Sequence, residues 1–198
     1  PFYALGGETE VERHFRLLAE NTGLELWAYD IPVCVHTKLS PDLLMRLGRD
    51  GIIDGVKDSS GDDVAFRWLC RANEAAGHPL QLLTGHEVVV DGAYMSGADG
   101  SVPGLANVDP EGYVRQWQAY ERRDWEAVRT EQDRLADLMR IVQVKGVQGF
   151  GAGVGAFKAA LHLLGVFDSA EMPRPVAALE GDNVEHVASV LRTVGLLS

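Results

Sequence analysis

Lys57 closes the run Gly51-Ile52-Ile53-Asp54-Gly55-Val56-Lys57, a short, mostly apolar segment followed at once by Asp58-Ser59-Ser60-Gly61-Asp62. The run reads as a buried parallel strand with its lysine at the carboxyl end, where a loop leads into the next helix. In α/β proteins that end is where ligands bind. A lysine there is paired, turned toward water with its stem packed, or chemically employed. An amine that gives up its charge on burial can attack a carbonyl and form a Schiff base. Tyr29 lies near the end of the preceding strand-like run, Leu24 to Ile31. Strand ends converge in a parallel barrel, so its hydroxyl could reach the same mouth and move protons. A tyrosine at a strand end can equally be packing alone.

The elements that must position these two residues alternate along the first half of the chain. Thr9 to Asn21 has helical spacing, and Leu24 to Ile31 is a strand stopped by Pro32. Ser40-Pro41-Asp42 is a helix cap followed by proline at the first helical position, launching a helix to Arg49. After the Ile52 to Lys57 strand, Asp62 or Asp63 caps a helix that stops before Gly77-His78-Pro79. Leu80 to Thr84 is a strand, Glu87 to Ser96 a helix, and Gly100 to Leu105 a fourth strand. From Asp109 the chain is helical to about Val144, with a break at Arg123-Asp124. Gly146 to Gly155 carries five glycines and reads as a loop or linker. It lacks the spacing and the Lys-Ser/Thr of a phosphate-binding loop. Ala156 to Leu164 and Asn183 to Thr193 are helices, separated by a loop with Pro173 and Pro175.

Repeated βα units with doubly apolar strands indicate α/β architecture with a parallel sheet and helices outside it. Four strands do not close a barrel of eight. The pattern therefore fits either the second half of a (β/α)8 TIM barrel (residues 1–125) followed by a carboxyl-terminal helical domain (residues 126–198), or a small open sheet.

A net charge of -11 argues against nucleic acid as a partner. No apolar run approaches the ~20 residues of a membrane span. Cys34 and Cys70 lack metal-ligand spacing, so no metal is implied, and two isolated cysteines suggest a reducing, cytoplasmic setting.

Several motifs together resemble the dihydrodipicolinate synthase/N-acetylneuraminate lyase family of class I, pyruvate-dependent aldolases. Pro1-Phe2-Tyr3 is similar to the family's Pro-Tyr-Tyr, and Tyr29-Asp30-Ile31-Pro32 to its Tyr-Asn-x-Pro. Gly55-Val56-Lys57-Asp58-Ser59-Ser60-Gly61 resembles its Gly-x-Lys-(Glu or Asp)-x-(Ser or Thr)-Gly. Leu83-Thr84-Gly85-His86 resembles the turn after its seventh strand. Gly97-Ala98-Asp99-Gly100-Ser101-Val102 with Ala106-Asn107 resembles its eighth strand, and Phe157-Lys158-Ala159-Ala160-Leu161 with Leu164-Gly165 its terminal domain.

The resemblance implies a (β/α)8 barrel of which this chain holds the last four strands, and a lyase or synthase that joins pyruvate to, or releases it from, an aldehyde or 2-keto acid. It implies Lys57 as the Schiff-base nucleophile, with Tyr29 and Tyr3 in the proton relay. Gly85, Gly100 and Val102 would line the substrate pocket. His86 reads as a loop histidine satisfied by water rather than a pocket group. No cofactor is implied, because the imine is the electron sink. A homo-oligomer, dimer or tetramer, is expected. The family's first four βα units, with the segment that holds the pyruvate carboxylate, would precede Pro1. A complete barrel needs about 90 to 110 more residues, and these 198 alone are expected to be inactive.

Cys34 stands where the true synthases carry an arginine for the second substrate's carboxylate. Losing a bidentate clamp is not conservative. It favours a relative acting on another 2-keto acid, such as a keto-deoxy sugar acid. Two other readings stand beside the aldolase: a catalytically incomplete half-barrel with a structural or binding role, and an unrelated open α/β enzyme in which Tyr29 and Lys57 lie far apart.

Overall fold

The computed structural model describes residues 7–198. By internal packing the chain divides into two units, Pro1–Pro103 and Gly104–Ser198. The 125/126 boundary drawn from the sequence falls at the start of a helix inside the second unit.

The first unit is α/β. Its elements run α1 (Glu8–Asn21), β1 (Trp27–Asp30), α2 (Pro32–Val35), α3 (Pro41–Arg49), β2 (Gly55–Asp58), α4 (Asp63–Ala75), β3 (Gln81–Thr84), α5 (Val90–Ser96) and β4 (Gly100–Ser101). The strands form one parallel sheet in the order β1-β2-β3-β4. The helix starts obey local chemistry. Ser40 Oγ accepts from the N–H of Leu43 at 3.1 Å, with Pro41 at the first helical position. The Asp62 carboxylate does the same for Ala65 at 2.9 Å.

Alternation along the strands assigns the two sheet faces. Ala28, Val56 and Leu82 are fully buried on the face that α3 and α4 complete with Leu43, Leu44, Leu47, Phe66 and Leu69. Two close contacts lock these helices to the entry of β3. Asn73 of α4 exchanges hydrogen bonds with the backbone of Leu80 at 2.8 and 3.0 Å. Gly48 of α3 lies so near Leu80 that a β-carbon there would sit 2.6 Å from its side chain.

In the second unit a 3-10 turn (Gly104–Asn107) leads to α6 (Pro110–Glu121) and α7 (Trp125–Met139). A further 3-10 turn (Arg140–Val142), α8 (Gly149–Leu163) and α9 (Asp182–Thr193) follow. The break expected at Arg123-Asp124 is present: Arg123 takes φ 59°, and Asp124 caps α7 through the N–H of Ala127 at 3.1 Å. Gln116 of α6 donates to Gln132 of α7 at 3.0 Å in the buried seam between them.

Two expectations are corrected. The fourth strand is only Gly100–Ser101, and the chain turns into 3-10 geometry at Gly104. The glycine-rich stretch is no linker, since most of it lies in α8. Glycine costs a helix about 1 kcal/mol per residue relative to alanine, so composition alone points to a loop. Here Gly151, Gly155 and Ala159 make one buried stripe. A β-carbon at Gly155 would touch Leu179 at 3.5 Å, and one at Gly151 would come within 2.9 Å of Val147.

Two outcomes follow. Gly48→Ala forces Leu80, which is 1% exposed, off its position. It is expected to lower stability by about 1–3 kcal/mol in chemical denaturation. The second concerns α1, tied to α3 by Glu8 and Glu12. Bonds from Ser40 and Arg46 to Glu8, and from Arg16 and Arg46 to Glu12, hold both carboxyls below the usual carboxylate range. A lowered carboxyl stabilises the fold above its unfolded value and loses that contribution as pH falls through the folded one. Amide exchange in α1 should therefore accelerate selectively below about pH 4.

Candidate active site

The site is the row of residues on the other sheet face, at the carboxyl ends of the strands. Tyr29, Lys57, Leu83 and Gly100 are successive partners in the parallel register, so their α-carbons lie side by side across four strands. Tyr29 is 48% exposed, while Lys57 and Leu83 are half-buried. The Lys57 amine lies over the Tyr29 ring, 4.4 Å from its centroid. That is the geometry of a cation–π contact, in which the ring face attracts the ammonium. The reading in which these two residues lie far apart is excluded by this pairing.

Gly85 clears the space for the lysine. A β-carbon at Gly85 would stand 2.8 Å from Lys57 Cε and 2.1 Å from Ser59 Oγ. Glycine is thus required by the packing of the lysine stem, and the same closeness puts the Ser59 hydroxyl beside that stem. Ser59 was not singled out from the sequence. Its only signal is its place two residues beyond Lys57, in a loop whose N–H donates to the Asp30 carbonyl at 2.9 Å. Gly100 leaves its row position open, a β-carbon there meeting Leu83 Cδ2 at 3.1 Å. Val102 follows β4 with its side chain 46% exposed and its N–H donating to the Thr84 carbonyl at 2.7 Å.

Cys34 lies in α2, directly after the Tyr29 strand, and is half-buried and unbridged. Tyr3 lies outside the described residues. His86 takes its place beside the amino end of α4, its Nδ1 buried and 3.6 Å from an Asp63 carboxylate oxygen. Cys70, buried in α4, is not a reactive thiol: burial pushes its pKa up to about 12. Among the described residues no group of three or more His, Cys, Asp or Glu is placed to hold a metal ion, and no helix is long and apolar enough to cross a membrane. A concavity of about 450 Å³ between α4 and α5 is lined by Val64, Trp68, Val89 and Ala93, away from the lysine row.

Behind the row, the residues one step further along β1 and β2 form a second constellation that went unnoticed in the sequence. Asp30 and Asp58 are register partners, 0% and 6% exposed, and they project to the helix side. The Lys38 amine contacts Asp30 Oδ2, stands 3.6 Å from Asp58 Oδ2 and donates to the Leu39 carbonyl at 3.1 Å. Burial pushes the Asp30 carboxyl above its ordinary value, against the pull of the Lys38 bond.

The model of the dihydrodipicolinate synthetase family matches residues 1–194. The chain belongs to that family. A DapA-like lyase of Halobacterium salinarum, itself uncharacterized, is 32% identical over 197 residues, 99% of this chain and 60% of that relative. The 4-hydroxy-tetrahydrodipicolinate synthase of Kineococcus radiotolerans is 28% identical, again over 99% of this chain and 60% of the relative. The dihydrodipicolinate synthase of Bacteroides thetaiotaomicron superposes with a TM-score of 0.88 at 26% identity, over 98% of this chain and 64% of that one. This family member thus spans about 60% of the length of the curated relatives it matches.

The packing at Gly85 makes an expected outcome. Gly85→Ala should cost about 1–3 kcal/mol of stability through overpacking. It should also push the Lys57 stem off the Tyr29 ring, so that an amine-reactive reagent labels Lys57 faster while Lys145 and Lys158 keep their rates. Peptide mass mapping reads both.

Proposed function

We propose that this chain carries the Schiff-base half of a pyruvate-dependent lyase or synthase. In this reading β1 to β4 are the last four strands of a (β/α)8 barrel, and the helices after it form the family's carboxyl-terminal domain. The observation that carries the proposal is the Lys57 amine held over the Tyr29 ring, on the part-exposed face at the carboxyl ends of parallel strands.

The chemistry begins with the uncharged Lys57 amine attacking the ketone carbon of pyruvate. The resulting carbinolamine loses water to give the imine, and loss of a proton from the adjacent methyl gives the enamine. Each step needs a proton donor or acceptor near the nitrogen, and the phenol on which the amine rests suits that role. Tyr3 would extend the relay. Gly85 and Gly100 leave room for the three-carbon chain, with Val102 at its margin. Carbon–carbon bond formation or cleavage with an aldehyde or 2-keto acid then proceeds through the enamine, with no cofactor. Cys34, lacking a cation, suits a second substrate other than one needing an arginine clamp, and a keto-deoxy sugar acid meets that description. A cytoplasmic homo-oligomer is part of the same reading.

The alternative is a catalytically incomplete half-barrel with a structural or binding role, in which Lys57 forms no adduct. The two readings separate in one experiment. Borohydride added to the intact protein with pyruvate should fix a three-carbon adduct on Lys57, and Lys57→Arg should abolish it. Tyr29→Phe should slow its formation by about 10²-fold or more, the usual scale for losing a general acid–base group. Absence of any adduct on Lys57 rejects the lyase reading.

A further inference from the structure

The four lysines of this chain include two near the same strand ends. Lys57 lies on the sheet face with Tyr29, and Lys38 belongs to the opposite side. Asp30 and Asp58 each follow one residue of the Tyr29–Lys57 pair, so alternation sends both carboxylates behind the sheet, next to one another. Two buried carboxylates on adjacent strands repel each other and are poorly solvated, so each needs compensation.

The structure supplies it unequally. Asp58 Oδ1 accepts from the Ser60 N–H at 2.9 Å and the Ser60 hydroxyl at 2.8 Å. Asp30 Oδ1 accepts from the Leu39 N–H at 3.2 Å. Among the described residues, the cation that reaches both carboxylates is Lys38, in direct contact with Asp30 and 3.6 Å from Asp58. Its side chain is only 32% exposed, so the pair is poorly screened. Removing that charge leaves two carboxylates back to back, at the points where β1 and β2 hand the chain to their loops. The loop after Asp58 carries Ser59, whose N–H bonds the Asp30 carbonyl and whose hydroxyl lies by Gly85 and the Lys57 stem.

We propose that Lys38 is a positioning residue: from behind the sheet, its amine holds the ends of β1 and β2 together through Asp30 and Asp58, and thereby sets Tyr29 and Lys57 against each other on the opposite face. Lys38 does not touch substrate. Its relevance to catalysis rests on the lyase reading of Lys57; its effect on the geometry of the pair does not.

The test uses Lys38→Gln, Lys38→Arg and the double variant Asp30→Asn/Lys38→Gln, in which one charge of each sign is gone and the hydrogen bond is kept. Two readouts are taken on protein verified as folded by near-ultraviolet circular dichroism: labelling of Lys57 by an amine-reactive reagent, and borohydride trapping of pyruvate on Lys57. In Lys38→Gln, Lys57 labelling should change while Lys145 and Lys158 keep their rates, and trapping should slow about tenfold or more, the scale of a displaced reacting group. Lys38→Arg and the double variant should return both readouts toward the unmodified protein. Unchanged Lys57 labelling in folded Lys38→Gln overturns the proposal. So does a double variant as impaired as the single one, which is also the deciding protein if Lys38→Gln does not fold. Absence of trapping in the unmodified protein would refute the lyase reading instead, and labelling alone then judges Lys38.

Discussion

The two-residue alternation of a β-strand is the constraint on which the rest of this site depends. Tyr29 and Lys57 are register partners, as are Asp30 and Asp58 one step on. The parity that aims an amine and a phenol at one face necessarily aims two carboxylates at the other. On the first face the pair is partly open and meets at the carboxyl end of the sheet. On the second face the carboxylates are buried under helices and require a cation. A shift of one residue in β2 would put Lys57 among the helices and Asp58 at the mouth, and a shift in β1 would do the same to Tyr29 and Asp30.

Much of the surrounding packing can be read as protection of that register. Gly48 and Asn73 pin α3 and α4 to the start of β3, and Gly85 lets the lysine stem pass. Backbone bonds continue the ladder past the strand ends, from Ser59 to Asp30, Gly85 to Asp58 and Val102 to Thr84. The loops that carry the site are therefore extensions of the sheet, which fits the precision that a reaction at one nitrogen requires.

What was legible in the sequence is what local chemistry determines. Ser40-Pro41, Asp62 and Asp124 announce helix starts because a capping oxygen acts within three residues. The strand carrying Lys57 was legible from its apolar β-branched run, and the Tyr29–Lys57 pairing from a resemblance whose motifs lie on neighbouring strands. Partners distant in sequence were not legible. Lys38 sits in a loop with no periodicity, and only the fold brings it to carboxylates 8 and 20 residues away. The glycines of α8 misled for the same reason, since the Leu179 side chain that Gly155 admits lies 24 residues further on.

In the proposed chemistry the reactive amine is Lys57, on the Tyr29 side of the sheet, while Lys38 is held in its carboxylate pair. A crystal structure of the protein after borohydride reduction with pyruvate tests this most directly. The account predicts density for three carbons continuing from Lys57 Nζ beside the Tyr29 hydroxyl, with Lys38 still between Asp30 and Asp58. An unmodified Lys57 turned away from Tyr29, or carbon bound to Lys38, would contradict it.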